Sequence, residues 1–257
     1  FAIAGMVVIR LPMLFIRYSY LTTSRLRESN EDLLTALVMA IETRDPYTSG
    51  HSQRVSSLAG SIAEALGLSR LRVEQVKMAA LLHDIGKIEA VYTEILRKPD
   101  KLTNEEREVI ESHVTRGEQL LRDLSSVPDP VIKAVRYHHE REDGMGYPDG
   151  LLGDEIPIGA KIIAVCDAVD AMLSDRPYRS ALALSGVLEQ LDEHRGKQFD
   201  HRVVNALVSS DILAEYADAM RALRGEIERE SGTALSAPLP HPRMAAATRP
   251  TRKIRVH

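Results

Sequence analysis

The sequence contains little cysteine and few aromatic side chains. Its 257 residues include one cysteine, no tryptophan and three phenylalanines. A single cysteine excludes an internal disulfide and a zinc site built from several thiolates, and it suits a reducing compartment. The core must therefore be mainly aliphatic. Cys166 lies in the apolar stretch KIIAVCDAVDAM, so we expect a buried core residue and not a nucleophile.

The charge and hydropathy patterns exclude some classes of partner and fold. The formal net charge is −4, which provides no general attraction to a nucleic acid polymer. Hydrophobic residues make up 44% of the chain and recur at helical spacing instead of alternating. We therefore expect an all-α protein with one substantial domain and accessory segments.

The first twenty residues are strongly apolar. FAIAGMVVI precedes Arg10, and LPMLFI precedes Arg17. Because a membrane-spanning helix needs about 20 apolar residues, we interpret residues 1–20 as a truncated transmembrane or membrane-proximal segment. The alternative is an amphipathic helix for docking or dimerisation. Arg25 and Arg27 follow, and basic residues on this side favour a cytoplasmic location for the rest of the chain.

Residues 21–44 have the pattern of a connecting helix. An apolar stripe runs along it among charged residues, formed by Leu26, Leu33, Leu37 and Ile41. Such a stripe is typical of a helix that packs against its twin, so we expect a homodimer through this N-terminal helix. Pro46 disfavours helical geometry at Asp45, where we expect the helix to end.

Residues 45–230 contain a series of helix signals and are expected to form the main domain. Gly67 is a predicted C-cap, and Ser69 is a predicted N-cap for the next helix, which is expected to include HDIGK. Thr103 and Glu106 form a capping-box pattern, and that helix is expected to continue to about Asp123. Residues 231–257 are rich in Ala, Pro, Thr and Arg, and we expect a disordered basic tail.

Histidines are concentrated in the part of the chain that contains these helices. Five of the nine lie between positions 51 and 139, and Asp84 and Asp167 accompany them. Imidazole and carboxylate together bind Mn, Fe, Ni or Zn. Seven such groups exceed the needs of one ion, so we expect two ions about 3.5–4 Å apart with a bridging carboxylate. The candidate ligands are His51, His83, Asp84, His113, His138, His139 and Asp167.

Lys87 follows the histidine and aspartate of HDIGK at helical spacing. If this stretch is helical, Lys87 lies on the same side as His83 and Asp84. Its ammonium group could then neutralise a phosphate oxygen or help to protonate a leaving oxygen. The alternative is a surface lysine near a helix C-terminus.

Six motifs together resemble the HD-GYP family, a branch of the HD phosphohydrolases, over about residues 42–205. They are GHSQRV, LLHDIGK, ESHVTRGEQLL, HHEREDGMGYPDGL, IIAVCDAVDAM and SDRPYR. The resemblance implies a helical HD-domain bundle and a metal-dependent phosphodiesterase that hydrolyses cyclic di-GMP to pGpG or onward to GMP. It also implies the output domain of a bacterial signalling protein. The apolar N-terminal segment is expected to attach that domain to the inner membrane.

The resemblance assigns roles to individual residues. It implies that His51, His83, Asp84 and Asp167 are ligands shared with other HD hydrolases. It implies that His113, His138 and His139 hold the second ion, with Asp84 as the bridge and a catalytic residue. The ions are expected to be Fe or Mn, with Ni, Zn or Mg as alternatives. Lys87 is similar to the active-site lysine of the family, and Arg176 and Arg179 match positions that contact substrate phosphate, with helix-end ion pairing as their alternative.

The sequence departs from the family pattern at several positions. Some members have a third-metal glutamate where this chain has Tyr47, so a two-metal site is expected. Glu42 is a candidate for an outer contact only. The stretch IEAVYTEIL after HDIGK and Val114 after His113 also differ from the usual residues, and neither change removes a ligand.

The stretch HHEREDGMGYPDG combines adjacent ligands with an irregular loop. Adjacent residues on a helix point about 100° apart, so His138 and His139 can occupy different coordination positions. Glu140 is expected to orient an imidazole. Glycines such as Gly146 permit unusual backbone angles, and Pro148 stiffens the turn. The loop is expected to cover the substrate pocket, with Gly146 in substrate handling, or to contact diguanylate cyclase (GGDEF-type) domains.

Two other functional interpretations are consistent with the sequence. The domain could act on another nucleotide, or it could bind a cyclic dinucleotide or a protein without turnover. A third interpretation places the signal input in residues 1–44, with the HD-GYP part regulated by it. Retention of all seven candidate ligands favours an enzyme.

Overall fold

The structure is a computed structural model that describes residues 2–42, 50–96, 102–124, 126–175 and 179–231. Helices dominate this part of the chain, and its isolated bridges include Asp143 with Leu152 and Arg195 with Phe199. The predicted all-α fold is confirmed.

Eleven α-helices and two short 3₁₀ helices lie in the described residues. The α-helices are α1 Ala2–Glu42, α2 His51–Ala65, α3 Arg70–Leu82, α4 Ala90–Leu96, α5 Asn104–Glu111, α6 His113–Arg122, α7 Asp129–Tyr137, α8 Ile158–Leu173, α9 Leu184–Glu193, α10 His201–Val208 and α11 Ile212–Ser231. The 3₁₀ helices are Ile85–Ile88 and Gly153–Glu155.

The core lies where α2, α3, α7 and α8 pack against one another. Helix α8 is central because its apolar run is buried on several sides, as at Ile162, Val165 and Val169. The core is aliphatic, as expected from the composition, with Phe199 as its large aromatic residue. Cys166 is fully buried, and burial raises the pKa of its thiol well above the ordinary value, which confirms a core role.

Several predicted helix boundaries are confirmed. Gly67 follows α2 with φ of 71°, in the left-handed region that glycine adopts without strain. Thr103 and Glu106 form the predicted capping box at the start of α5, with both hydrogen bonds present. Ser69 precedes α3 as predicted, although its side chain makes no capping hydrogen bond.

Two boundaries differ from the prediction. The helix from Thr103 breaks at Ser112, whose side chain donates to the Val109 carbonyl at 2.6 Å and competes with the regular backbone pattern. The HDIGK segment is also not a continuation of α3, because α3 ends at Leu82 and residues 85–88 form a 3₁₀ helix.

Helix α1 joins the predicted N-terminal segment and the predicted connecting helix into one continuous element. Across the described part of the chain, no helix has both the length and the apolarity needed to cross a membrane. Exposed apolar residues on α1 include Phe15, Leu33 and Leu37, and dimerisation through them stays a prediction. The expected helix end at Asp45 and residues 232–257 of the expected tail lie outside the described residues, and Ser231 ends α11.

Candidate metal centre

The seven candidate ligands converge from the ends of several helices and the middle of one. His51 begins α2, His83 and Asp84 follow α3, His113 begins α6, and Asp167 lies within α8. His138 and His139 follow the last residue of α7. The ligand atoms form three overlapping groups, each within 4.8 Å: His51, His83 and Asp167; His83, Asp84 and His138; and His113, His138 and His139.

Backbone carbonyls orient three of the imidazoles. The Nδ1 atoms of His83, His113 and His138 lie 2.7, 2.6 and 2.7 Å from the carbonyl oxygens of Ala80, Ile110 and Val135. A carbonyl only accepts, so each Nδ1 carries the proton and each Nε2 keeps its lone pair. Each acceptor is three residues earlier in the chain, a separation that a helical turn supplies. The fold thus holds these rings with their metal-binding atoms toward the cluster.

The polar atoms at the centre of the cluster fit a cation. His83 Nε2 is buried and has no hydrogen-bond partner among the described residues. It lies 3.5 Å from Asp84 Oδ2, and His113 Nε2 lies 3.4 Å from Asp84 Oδ1. An unsatisfied buried ring nitrogen is unusual in a folded protein. Imidazole nitrogens and carboxylate oxygens arranged in this way are suitable ligands for divalent transition metals.

Burial keeps most of the imidazoles neutral. It lowers the pKa of His113 and of His139 to about 3, with a further contribution from Lys87 for His113 and from His113 for His139. It also lowers the pKa of His138 well below the ordinary value, together with the charge of His139. At neutral pH these rings therefore present lone pairs without having to release a proton.

The aspartates remain ionised despite their surroundings. Burial alone would raise the pKa of Asp84, but Lys87 and the nearby histidines lower it well below the ordinary value. Burial opposes ionisation of Asp167 as well, and the hydrogen bond and charge of His51 lower its pKa. Burial would lower the pKa of His51, and hydrogen bonds with Asp167 and Asp170 raise it to about 10. A divalent cation bound by His51, His83 and Asp167 would compete with the proton on the His51 ring.

Lys87 lies beside Asp84, although the helical geometry expected for it is wrong. Its Nζ atom is 2.7 Å from Asp84 Oδ1 and 2.8 Å from Asp84 Oδ2. The 3₁₀ helix that carries it packs against α6 at Gly86, where an added Cβ would lie 2.0 Å from the His113 carbonyl oxygen. This close approach brings Lys87 and Asp84 to the His113 side of the cluster.

The HHEREDGMGYPDG stretch folds back onto the ligands at its start. The Tyr147 ring stacks on His139, with 4.8 Å between the ring centroids. An added Cβ at Gly146 would lie 2.6 Å from the His139 carbonyl oxygen, so glycine permits this packing. The expected role of Glu140 is wrong, because its buried carboxylate accepts the backbone N–H groups of Asp149, Gly150 and Leu151 at 2.8, 3.0 and 3.0 Å. Glu140 therefore holds the loop, because three backbone N–H groups from its far end donate to this one carboxylate.

Comparisons with known proteins show the family to which the chain belongs. The family model described as "HD domain" matches residues 35–203. The chain belongs to the HD domain family. The chain is 44% identical over 187 residues to the cyclic di-GMP phosphodiesterase response regulator RpfG of Xanthomonas campestris, covering 72% of this chain and 49% of that protein. It is 39% identical over 202 residues to a cyclic di-GMP phosphodiesterase of Thermotoga maritima, covering 78% of this chain and 54% of that protein.

Solved structures show the same fold. The phosphodiesterase V-cGAP3 of V. cholerae, described as cyclic GMP-AMP specific, matches with a TM-score of 0.55 at 18% identity, over 77% of this chain and 52% of that one. Bd1817 of Bdellovibrio bacteriovorus, described as an HDG"Y"P protein, matches with a TM-score of 0.51 at 22% identity, over 61% and 50%. The resemblance to the HD-GYP branch is confirmed. The chain spans about half the length of the first curated relatives that it matches.

Glu42 connects the end of α1 to the HD domain beside a candidate ligand. Its buried carboxylate accepts the backbone N–H of Gly50 at 2.8 Å and of Ser52 at 2.7 Å, the two residues that flank His51. Negative charge at a helix N-terminus is favourable because it satisfies free N–H groups and complements the helix dipole. Glu42 therefore supports the backbone that carries His51, in agreement with the outer contact expected for it.

Asp170 is a residue of the HD domain that sequence reasoning missed. It lies on α8 three residues after Asp167, and its Oδ2 atom is 2.6 Å from His51 Nδ1. The i, i+3 spacing within CDAVD was the available signal, because it puts both carboxylates on one side of the helix. The ligand-orienting carboxylate of the site is thus Asp170 and not Glu140.

The structure describes one of the two predicted substrate arginines. Arg176 and Tyr47 lie outside the described residues. Arg179 donates from Nη2 to the Ala171 carbonyl at 2.6 Å, in the last turn of α8. Arg179 thus contacts the end of a helix through a backbone carbonyl. Its contact with substrate stays a prediction.

Proposed function

We propose that this chain is a metal-dependent phosphodiesterase that hydrolyses cyclic di-GMP to pGpG. The assay described below also tests whether pGpG is hydrolysed onward to GMP. The observation that carries the proposal is the three overlapping groups of buried ligand atoms, which link seven histidine and aspartate side chains. Such a series accommodates two ions that share ligands, and the position of Asp84 in the middle group suits a bridging carboxylate.

The residues divide between the two ends of the cluster. His51, His83 and Asp167 would hold one ion, and His113, His138 and His139 would hold the other, with Asp84 between them. We expect Fe or Mn at these ligands, with Ni, Zn and Mg as alternatives. Divalent ions in such pairs supply an activated water nucleophile and polarise the phosphoryl oxygens.

Protein side chains would complete the reaction chemistry. The Lys87 ammonium, already within 3 Å of Asp84, is placed to neutralise a phosphate oxygen and to assist protonation of the leaving oxygen. Arg176 and Arg179 would contribute guanidinium groups to the substrate phosphates. The glycine-rich loop of HHEREDGMGYPDG, here called the Gly146 loop, would form the rim of the pocket. Glu140 holds this loop, and its Tyr147 ring stacks on His139.

The substrate class is supported by the relatives. Proteins named cyclic di-GMP phosphodiesterase match at 44% and 39% identity. A protein named 3'3'-cGAMP-specific phosphodiesterase 2 in Vibrio cholerae matches at 34% identity over 79% of this chain. The second candidate substrate is therefore 3'3'-cGAMP, which has the same cyclic diphosphodiester ring and one different base.

The test uses the full chain loaded with Mn²⁺ or Fe²⁺ under reducing conditions. Cyclic di-GMP and 3'3'-cGAMP are supplied separately, and products are separated by liquid chromatography and identified by mass. Formation of pGpG supports the proposal, and the appearance of GMP defines the endpoint. Preference for 3'3'-cGAMP would favour the second substrate. Tight binding of cyclic di-GMP without cleavage would contradict an enzyme and favour the binding module.

Assembly and domain organisation follow the same proposal. Residues 45–230 would be the phosphodiesterase domain, residues 21–44 the connecting helix, and residues 1–20 a membrane-proximal segment at the inner membrane. Exposed apolar residues on α1, including Phe15 and Leu37, support a homodimer through that helix. The Gly146 loop is the proposed contact surface for GGDEF-type domains.

A further inference from the structure

A buried carboxylate behind the candidate metal centre receives hydrogen bonds from two other helices, α2 and α11. Asp170 on α8 is 1% exposed. Its Oδ2 atom accepts from His51 Nδ1 at 2.6 Å and from Arg54 Nη2 at 3.1 Å. Its Oδ1 atom accepts from Arg54 Nε at 2.8 Å and from the Tyr216 hydroxyl at 2.5 Å. Both oxygens are therefore fully engaged, and the carboxylate has one defined orientation.

The orientation of His51 depends on a side chain, whereas the backbone orients three of the other imidazoles. His83, His113 and His138 donate to backbone carbonyls three residues earlier. Helix α2 begins at His51, so that helix provides no carbonyl at the same position. A side chain can rotate away, whereas a helical carbonyl cannot. The orientation of His51 and the proton on its Nδ1 atom thus require Asp170 to be held in place.

The Tyr216 hydroxyl comes from an element beyond the matched family region. Tyr216 lies on α11, which begins at Ile212, and the family match ends at residue 203. Leu213, Ala217 and Met220 of the same helix are buried in the core. This packing fixes α11 against the domain, so the hydroxyl reaches Asp170 from a firmly placed backbone.

We propose that Tyr216 is a positioning residue of the metal centre, through which α11 holds Asp170 and thereby orients His51 toward an ion. Among the described residues, loss of its hydroxyl would leave Arg54 as the remaining partner of Asp170 Oδ1. The carboxylate could then turn, and the His51 ring with it. The affinity of the His51, His83 and Asp167 group would fall, while the His113, His138 and His139 group would be unaffected. The inference rests on the metal centre of the proposed function and not on its substrate.

The test is a calorimetric titration of the metal-free full chain with Mn²⁺, comparing the wild type with Tyr216→Phe. Removal of a direct outer partner of a ligand costs about 10–100-fold in metal affinity. Tyr216 acts one step further out, so we expect a loss of roughly 3–10-fold at one class of site and none at the other. Ser210→Ala is the matched control, because it removes a half-buried hydroxyl that donates to the Ala206 carbonyl beside α11.

Three results of this titration would contradict the role proposed for Tyr216. Unchanged Mn²⁺ affinity in Tyr216→Phe, equal weakening at both sites, or the same loss in Ser210→Ala would overturn it. If Tyr216→Phe does not fold, Asp170→Asn replaces it, with an expected loss of about 10–100-fold at one class of site; undiminished affinity there would also overturn the proposal. Because substrate is not used, a wild type that binds Mn²⁺ but cleaves no cyclic dinucleotide would contradict the proposed function alone.

Discussion

Gly86 lies directly against the carbonyl of the candidate ligand His113: a Cβ built at position 86 would be 2.0 Å from that oxygen and 2.7 Å from the Gly117 nitrogen. No side chain fits in this space, since both neighbours are backbone atoms of α6. The contact explains how the segment that carries Asp84 and Lys87 is held beside His113.

Gly86→Ala should therefore disrupt the metal centre. The added methyl group must push the 3₁₀ helix away from α6, and overpacking of this kind costs about 1–3 kcal/mol in the free energy of unfolding. We expect lower metal content as well, measured by elemental mass spectrometry alongside urea denaturation. Gly186→Ala in α9 is the control, because its Cβ would meet nothing closer than 3.7 Å. Full metal content and unchanged stability in Gly86→Ala would show that the contact is unimportant.

Lys87→Met should separate metal binding from turnover. The variant keeps the length of the side chain and removes the ammonium that lies 2.7 Å from Asp84. Loss of a positioned electrostatic group of this kind lowers kcat by about 10²–10³-fold. Metal content should be retained, because none of the seven candidate ligands changes. Lys133→Met, on the exposed surface of α7, serves as the control. A kcat near that of the wild type in Lys87→Met would remove Lys87 from the proposed chemistry.

Glu42→Ala should weaken the connection between α1 and the site. The carboxylate accepts from Gly50 and Ser52 at the start of α2, and loss of such a capping interaction costs about 0.5–2 kcal/mol. We expect a lower free energy of unfolding together with weaker Mn²⁺ binding, because His51 lies between the two donors. Glu64→Ala, on the exposed face of α2, should change neither quantity. Equal behaviour of the two variants would contradict the supporting role of Glu42.

Asp200 provides a test of stability that does not involve metal. Burial would raise the pKa of its carboxyl, but hydrogen bonds from Arg202 and Lys161 lower it below the ordinary value. Lys161 Nζ lies 2.9 Å from Asp200 and 2.8 Å from Glu142. Asp200→Asn should lower the free energy of unfolding by about 3 kcal/mol at neutral pH. This is the lower end for a broken buried ion pair, because Glu142 still faces Lys161.

The sign of the pH dependence follows from the lowered pKa. A carboxyl that ionises more readily in the folded state stabilises the fold above its unfolded pKa of about 3.9, and that contribution is lost as the pH falls toward the folded-state pKa. The difference in free energy of unfolding between wild type and Asp200→Asn should therefore shrink below about pH 4. Urea denaturation across this range measures it, with the exposed Asp192→Asn as control. A constant difference would contradict the assignment.

The sequence supported a correct prediction of the fold because its helix signals are local. Gly67 and the Thr103 capping box depend on neighbouring residues, and both appear where expected. The convergence of the histidines was predictable from residue chemistry and family resemblance. The roles of Asp170 and Glu140 were not, because their partners are distant in sequence or lie in an irregular loop. His51 is 119 residues from Asp170, and only the packing of α2 on α8 brings the two together.

The central claim is that two ions in the cluster around Asp84 are needed for hydrolysis of a cyclic dinucleotide. It is tested most directly by adding Mn²⁺ in measured equivalents to the metal-free chain and recording the initial rate of pGpG formation at each step. The account predicts little turnover up to one equivalent, a rise between one and two, and a plateau at two ions per chain. Full activity at one equivalent, or no activity with two ions bound, would contradict it.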